Sequence, residues 1–157
     1  MTESDTSIAG SDAAHQAEQL RAWLKARAPF HRFQAEEVTR HLTRCVEEWG
    51  VSQRWTARRE APSCAKPAEG RPPRQGYLDV KFYRPGMSAV AVEIDRGNKR
   101  WSLEKLEAEA ANGACALWLR WSARPSTISP PAGVGLVELR VLRHRRPGNQ
   151  PQLYSLA

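Results

Sequence analysis

The chain has 157 residues, 26% charged and 41% hydrophobic, which suits one folded domain with a core and excludes a wholly disordered polymer. Its net charge is +7, and the first 18 residues hold four of the 17 acids and no Lys or Arg, so the remainder is a strongly basic body that points to a polyanionic partner. No apolar run approaches the roughly 20 residues needed to span a bilayer and residues 1–20 lack the basic start and apolar stretch of a leader, so a cytoplasmic protein without membrane contact is expected; three isolated cysteines (Cys45, Cys64, Cys115) indicate neither a disulfide framework nor a zinc knuckle.

In chain order, residues 1–14 are small and polar and read as a mobile, disordered tail. His15–Ala28 reads as a helix with Leu20, Trp23 and Leu24 as its apolar stripe, closed by Pro29. Gln34–Trp49 is a stronger helix: Val38, Leu42, Cys45, Val46 and Trp49 share one face, and Gly50 follows as a stop. Glu37 sits at the edge of that stripe and is a candidate accessory carboxylate. Val51–Arg59 predicts a strand, and Glu60–Gly76, with four prolines, a loop. Tyr77–Arg84 and Ser88–Arg96 alternate with period two and read as a hairpin turning at Pro85-Gly86. A helix capped by Ser102 and ended by Asn112-Gly113 comes next, then an apolar strand, Ala114–Trp121, so that Ser88 to Trp121 has the length of a parallel crossover. A proline-rich link precedes a last strand, Val134–Leu142. Residues 143–157 begin with a basic run and dwindle into a polar tail, leaving 15–142 as the domain.

The hairpin carries the chemistry. One face is expected to hold Leu78, Val80, Phe82, Val90, Val92 and Ile94, and the other Tyr77, Asp79, Lys81, Glu93 and Asp95. A five-residue connection sets Asp79 opposite Glu93 and Lys81 opposite Ala91; a two-residue slip opposes Asp79 to Asp95 and Lys81 to Glu93. Either register brings carboxylates together, which is costly unless a cation or a retained proton relieves it. Mg²⁺ wants such oxygen ligands together with waters and substrate phosphate. The plain alternative is a solvated face on which Lys81 pairs with Glu93.

The order helix, three strands, helix, strand, with Asp79 in the second strand and Glu93-Ile94-Asp95 in the third, resembles the PD-(D/E)xK nuclease superfamily. It is most similar to the branch akin to very-short-patch repair endonucleases, which carries Glu-x-Asp in the third strand. The resemblance covers the layout of about residues 34–142, and its specific part is Gly76–Trp121. It implies an α/β, restriction-endonuclease-like core (αβββαβ) with a central mixed sheet flanked by helices. It also implies a metal-dependent endonuclease hydrolysing nucleic-acid phosphodiesters, DNA being the expected substrate. The metal, Mg²⁺ or Mn²⁺, would be held by Asp79, Glu93, Asp95 and the carbonyl of Ile94. Asp95 stands where the family usually has Lys, so Lys99, four residues on, is the first choice for the assisting ammonium, and Lys81 the second. Arg58, Arg59, Arg96 and Arg100 are expected at substrate phosphates. The departure at Asp95 keeps open a catalytically weak or inactive DNA-binding or assembly subunit of the same fold. Action as a homodimer or with a partner subunit stays open too.

Overall fold

A computed structural model describes the backbone of residues 3–66, 70 and 74–157, with side chains from residue 12 onward. Its elements are α1 (Glu3–Arg27), α2 (Ala35–Ser52), β1 (Thr56–Pro62), β2 (Tyr77–Tyr83), β3 (Val90–Arg96), α3 (Arg100–Ala111), β4 (Cys115–Ser122), β5 (Val134–His144) and β6 (Leu153–Leu156). The strands form one six-stranded sheet in sequential order. β1, β2 and β3 are antiparallel, β3, β4 and β5 parallel, and β6 returns antiparallel to β5. The α/β class and the mixed sheet flanked by helices are as expected, and α2–β1–β2–β3–α3–β4 follows the expected order of elements. Among the described residues no helix is long and apolar enough to cross a membrane.

Two hydrophobic layers hold the sheet. The larger joins α1 and α2 to Val80, Phe82, Val90, Val92, Leu119 and Trp121. The smaller joins Leu103 and Leu106 of α3 to Leu78, Ala91, Ala116 and Trp118. Trp118 and Trp121 are both core, but on opposite faces. Leu78 departs from the predicted alternation and lies under α3, because the ladders on both sides of β2 are interrupted at the next residue, Asp79.

Several boundaries move. The expected disordered tail over 1–14 is instead helical from Glu3, and the expected helix start at His15 lies well inside α1. Ala13 and Ala17 extend the Leu20–Leu24 stripe back by two turns, and a small-residue stripe of this kind lets a helix lie close on a sheet. Gly135 of β5 completes that contact, since a Cβ there would stand 2.6 Å from the Ala13 carbonyl. Asp12 is tied to the buried Arg84 at 3.0 Å. Gly50 is not a stop: α2 runs on to Ser52, and a Cβ at Gly50 would fall 2.1 Å from the Phe82 ring, so its use is close packing. β1 accordingly begins five residues later than expected.

Ser102 is not the N-cap of α3, a position held by Lys99; Asn112 and Gly113 (φ +89°) do close the helix. The C-terminal tail is also a correction. β5 continues to His144, and β6 pairs with it, burying Tyr154. Cys45 and Cys115 are buried and Cys64 exposed, all three free. Residues 67–69 and 71–73 of the expected loop lie outside the described residues.

Candidate functional site

The hairpin adopts the first of the two registers, with Phe82 opposite Val90, Lys81 opposite Ala91 and Val80 opposite Val92. There the ladder ends. On the other flank, β1 pairs with β2 on either side of Glu60 but not at it, and Glu60 takes φ +49°. Asp79 is thus released from both neighbours, and its Oδ2 accepts the backbone N–H of Ile94 at 2.7 Å. A side-chain oxygen here replaces a strand carbonyl, and beyond Val92 β3 keeps its pairing with β4 alone. The fork so formed is where the carboxylates gather.

Glu93 is only 2% exposed. Its carboxyl lies within hydrogen-bonding reach of Asp79, and burial, then that hydrogen bond and the Asp79 charge, push its pKa up to about 9, against an opposing pull from Lys105. At neutral pH the Asp79–Glu93 pair therefore retains a proton. The ammonium of Lys105, reaching down from α3, touches Glu93 Oε1, an ionic contact without a well-directed hydrogen bond. The same Nζ donates to the Tyr77 carbonyl at 2.7 Å, which anchors it across the fork.

Asp95 is equally buried, but its oxygens are engaged elsewhere. Oδ2 accepts the Trp118 indole N–H at 2.9 Å, Ser102 supplies a further hydrogen bond, and Lys99 stands 3.8 Å from Oδ1. Burial raises its pKa, and the hydrogen bonds from Ser102 and Trp118 work against that rise. Lys81 is 3.6 Å from Glu109 of α3, not paired with Glu93. Among the described residues neither Lys81 nor Lys99 is in ion-pairing distance of Glu93; Lys105 holds that place.

These placements correct the expected ligand set. Among the described residues no three His, Cys, Asp or Glu side chains are grouped so as to hold a metal ion. Asp95 is drawn off by Trp118, Ser102 and Lys99, and the observed part played by Ile94 is its N–H holding Asp79. What remains is a two-carboxylate donor pair. That suits a hard cation which keeps most of its waters, since Mg²⁺ is commonly held by one or two carboxylates plus substrate phosphate. The Asp79 charge that helps hold a proton on Glu93 marks a concentration of negative charge that such an ion would relieve.

Glu37 is no part of this site. It is exposed, and its Oε1 accepts the Gln34 N–H at 3.1 Å in a capping box at the start of α2, across the sheet from α3. The arginines divide between the two faces. Arg58 stands opposite Lys81, on the α3 side, and exposed Arg100 opens α3. Arg59 is paired with Glu47 of α2, while Arg96 packs against Trp121 and Tyr154 on the α2 side. Trp101 packs over Gly76, where a Cβ would be 2.9 Å from its ring, and Arg74 and Lys105 lie near its face.

Lys105 and Glu109 are the site residues that sequence reasoning missed. A signal existed: Ser102, Lys105 and Glu109 share the inward face of α3 with Leu103 and Leu106, polar residues where an ordinary amphipathic helix would be apolar. A comparison of the chain with known protein families, curated proteins and solved structures finds no match.

Proposed function

We propose that the chain is a metal-dependent nuclease of the PD-(D/E)xK type, hydrolysing nucleic-acid phosphodiesters, with DNA as the first substrate to test. The observation that carries this reading is the convergence of Asp79 and Glu93 at the fork between β2 and β3, with the ammonium of Lys105 against Glu93. Asp79 and Glu93 would hold Mg²⁺ or Mn²⁺, and the ion, when bound, supplies Lewis-acid stabilisation of the phosphate and a more acidic water. Asp79 is held in place by the Ile94 N–H, which fixes its carboxylate beside Glu93 at the fork. Lys105 takes the part expected of Lys99 or Lys81: it offsets charge at Glu93 and is placed to stabilise charge developing on the phosphate. Asp95 acts at one remove, fixing Trp118 and the start of α3 beneath the site.

Cleavage of plasmid and single-stranded DNA with Mg²⁺ or Mn²⁺ tests the proposal. Wild type should cut, Asp79→Ala and Glu93→Ala should not, and Lys105→Met should lose about 10²–10³-fold in rate, as removal of one charge-stabilising donor does elsewhere. Equal cutting by wild type and Asp79→Ala would refute it. A second reading, a nucleic-acid-binding subunit with an inactive centre, is favoured by one observation: the Lys105 ammonium is already shared between Glu93 and the Tyr77 carbonyl. It predicts DNA binding indifferent to EDTA and no cleavage by any form.

A further inference from the structure

We infer that an arginine-lined cleft at the carboxyl ends of β3 and β4, on the sheet face opposite Lys105, is a binding track for the phosphodiester backbone of a nucleic acid. The cleft has a volume of about 490 Å³, and Arg96, Arg124, Arg143 and Arg145 line it together with Trp121 and Tyr154. No acidic side chain lines it, and among the described residues none of the four arginines is ion-paired with a carboxylate. Four guanidinium groups around one hollow repel one another, and a polyanion is the ligand that turns this repulsion into attraction.

The cleft is built on ordered backbone. Arg96 is fixed between the rings of Tyr154 (5.2 Å) and Trp121 (5.8 Å) and donates to the Tyr154 hydroxyl at 2.6 Å. That bond uses one of the five guanidinium N–H groups, so most remain for phosphate oxygens. Arg143 lies in the β5–β6 ladder opposite Tyr154. The Arg124 backbone is held at both ends, by Ser122 Oγ on its N–H and by Arg120 on its carbonyl. Arg96 also borders two adjoining hollows, one reaching Arg40 on α2 and the other Gln34 and Gln152, but the exposed Glu36 lines both, so the acid-free surface is the cleft itself. Arg96 on β3, Arg124 just after β4 and Arg143 on β5 spread the charge over three strands, which fits an extended chain of phosphates better than one compact anion.

The cleft and the carboxylate fork meet at one point. Asp95 and Arg96 are consecutive, and successive side chains of a strand face opposite sides. Asp95 is bonded to Trp118 on the α3 side, and Arg96 stacks on Trp121 on the other. A nucleic acid crossing the end of β3 would therefore have the arginines on one side of that ridge and the fork on the other. The choice of ligand rests on the nuclease reading, but its measurement needs no cleavage.

The experiment is fluorescence anisotropy of labelled single-stranded and duplex DNA in EDTA, over a range of salt. Arg143→Glu with Arg145→Glu alters two exposed side chains, and Arg124→Ala a third, so folding by circular dichroism should be unchanged. The double variant should bind about tenfold or more weakly and lose about 2 from the slope of log K against log salt. Lys25→Glu with Arg27→Glu, an equal charge change on α1 outside the cleft, should stay within about threefold of wild type at moderate salt. A loss in the cleft variant no larger than in the α1 variant overturns the inference. Cleft-dependent binding without cleavage would sink the nuclease reading alone, whereas cutting that survives in the cleft variant with unchanged affinity would sink the cleft alone.

Discussion

Glu93 keeps a proton that an exposed glutamate releases near pH 4.5, because burial and the neighbouring Asp79 disfavour its charge more than Lys105 favours it. The native state thus binds more protons than the unfolded chain between about pH 4.5 and about 9. The associated stability is fully present below that window and falls as pH rises through it. Thermal melts from pH 5 to pH 9 should show wild type losing Tm more steeply than Glu93→Gln, whose side chain is neutral throughout. Parallel curves would argue against a retained proton. Asp79 and Glu93 were both legible as site residues in the alternation of the hairpin. Lys105 left only a weak trace, a polar residue on the Leu103–Leu106 side of α3, whose meaning depends on the sheet that covers it.

The least expected element is α1. Beyond its apolar stripe, α1 is tied to the sheet by Asp12, whose carboxylate meets Arg84 at 3.0 Å, while the Arg84 side chain is 1% exposed and, among the described residues, otherwise hydrogen-bonded only to Ser88. Removing one partner of a buried pair leaves an uncompensated charge. Because Asp12 is itself partly exposed, Asp12→Ala should cost roughly 3 kcal/mol, the low end of the range for such pairs. Urea melts would measure it, and a change under 1 kcal/mol would mean that α1 is held by its alanine and leucine stripe alone. At α2, Gly50→Ala drives a methyl into the Phe82 ring and should cost about 1–3 kcal/mol or more by overpacking, though alanine is the better helix former. A gain in stability there would contradict the close contact.

Across the molecule, the sheet order follows the chain, so each strand pairs with its neighbour in sequence and the fork at Asp79 opens between the antiparallel β2 and β3, where their ladder ends. β6 closes the far edge, and Tyr154 carries the interaction: it meets Trp121 edge to face at 5.2 Å, holds Arg96, and pairs through its backbone with Phe33 before α2. Ending the chain at His144 should therefore lower Tm by several degrees and weaken nucleic-acid binding together, since both the core edge and the cleft wall are lost. Unchanged melting of that truncation would show β6 to be dispensable.

Periodicity was enough to read the hairpin, the central strands, α2 and the common face of Asp79 and Glu93, because alternation and helical stripes are local properties that survive without a partner surface. The alanines of α1, the depth of Gly50, the Lys105 contact and the arginine cleft depended on the packed fold. Small residues signal close approach only when the opposing surface is present, and charges from distant segments declare a common purpose only when the chain has brought them within a few ångströms. Asp95 shows the boundary between the two: its place on the strand was plain from spacing, but whether its oxygens face an ion or a tryptophan was decided by β4, 23 residues away.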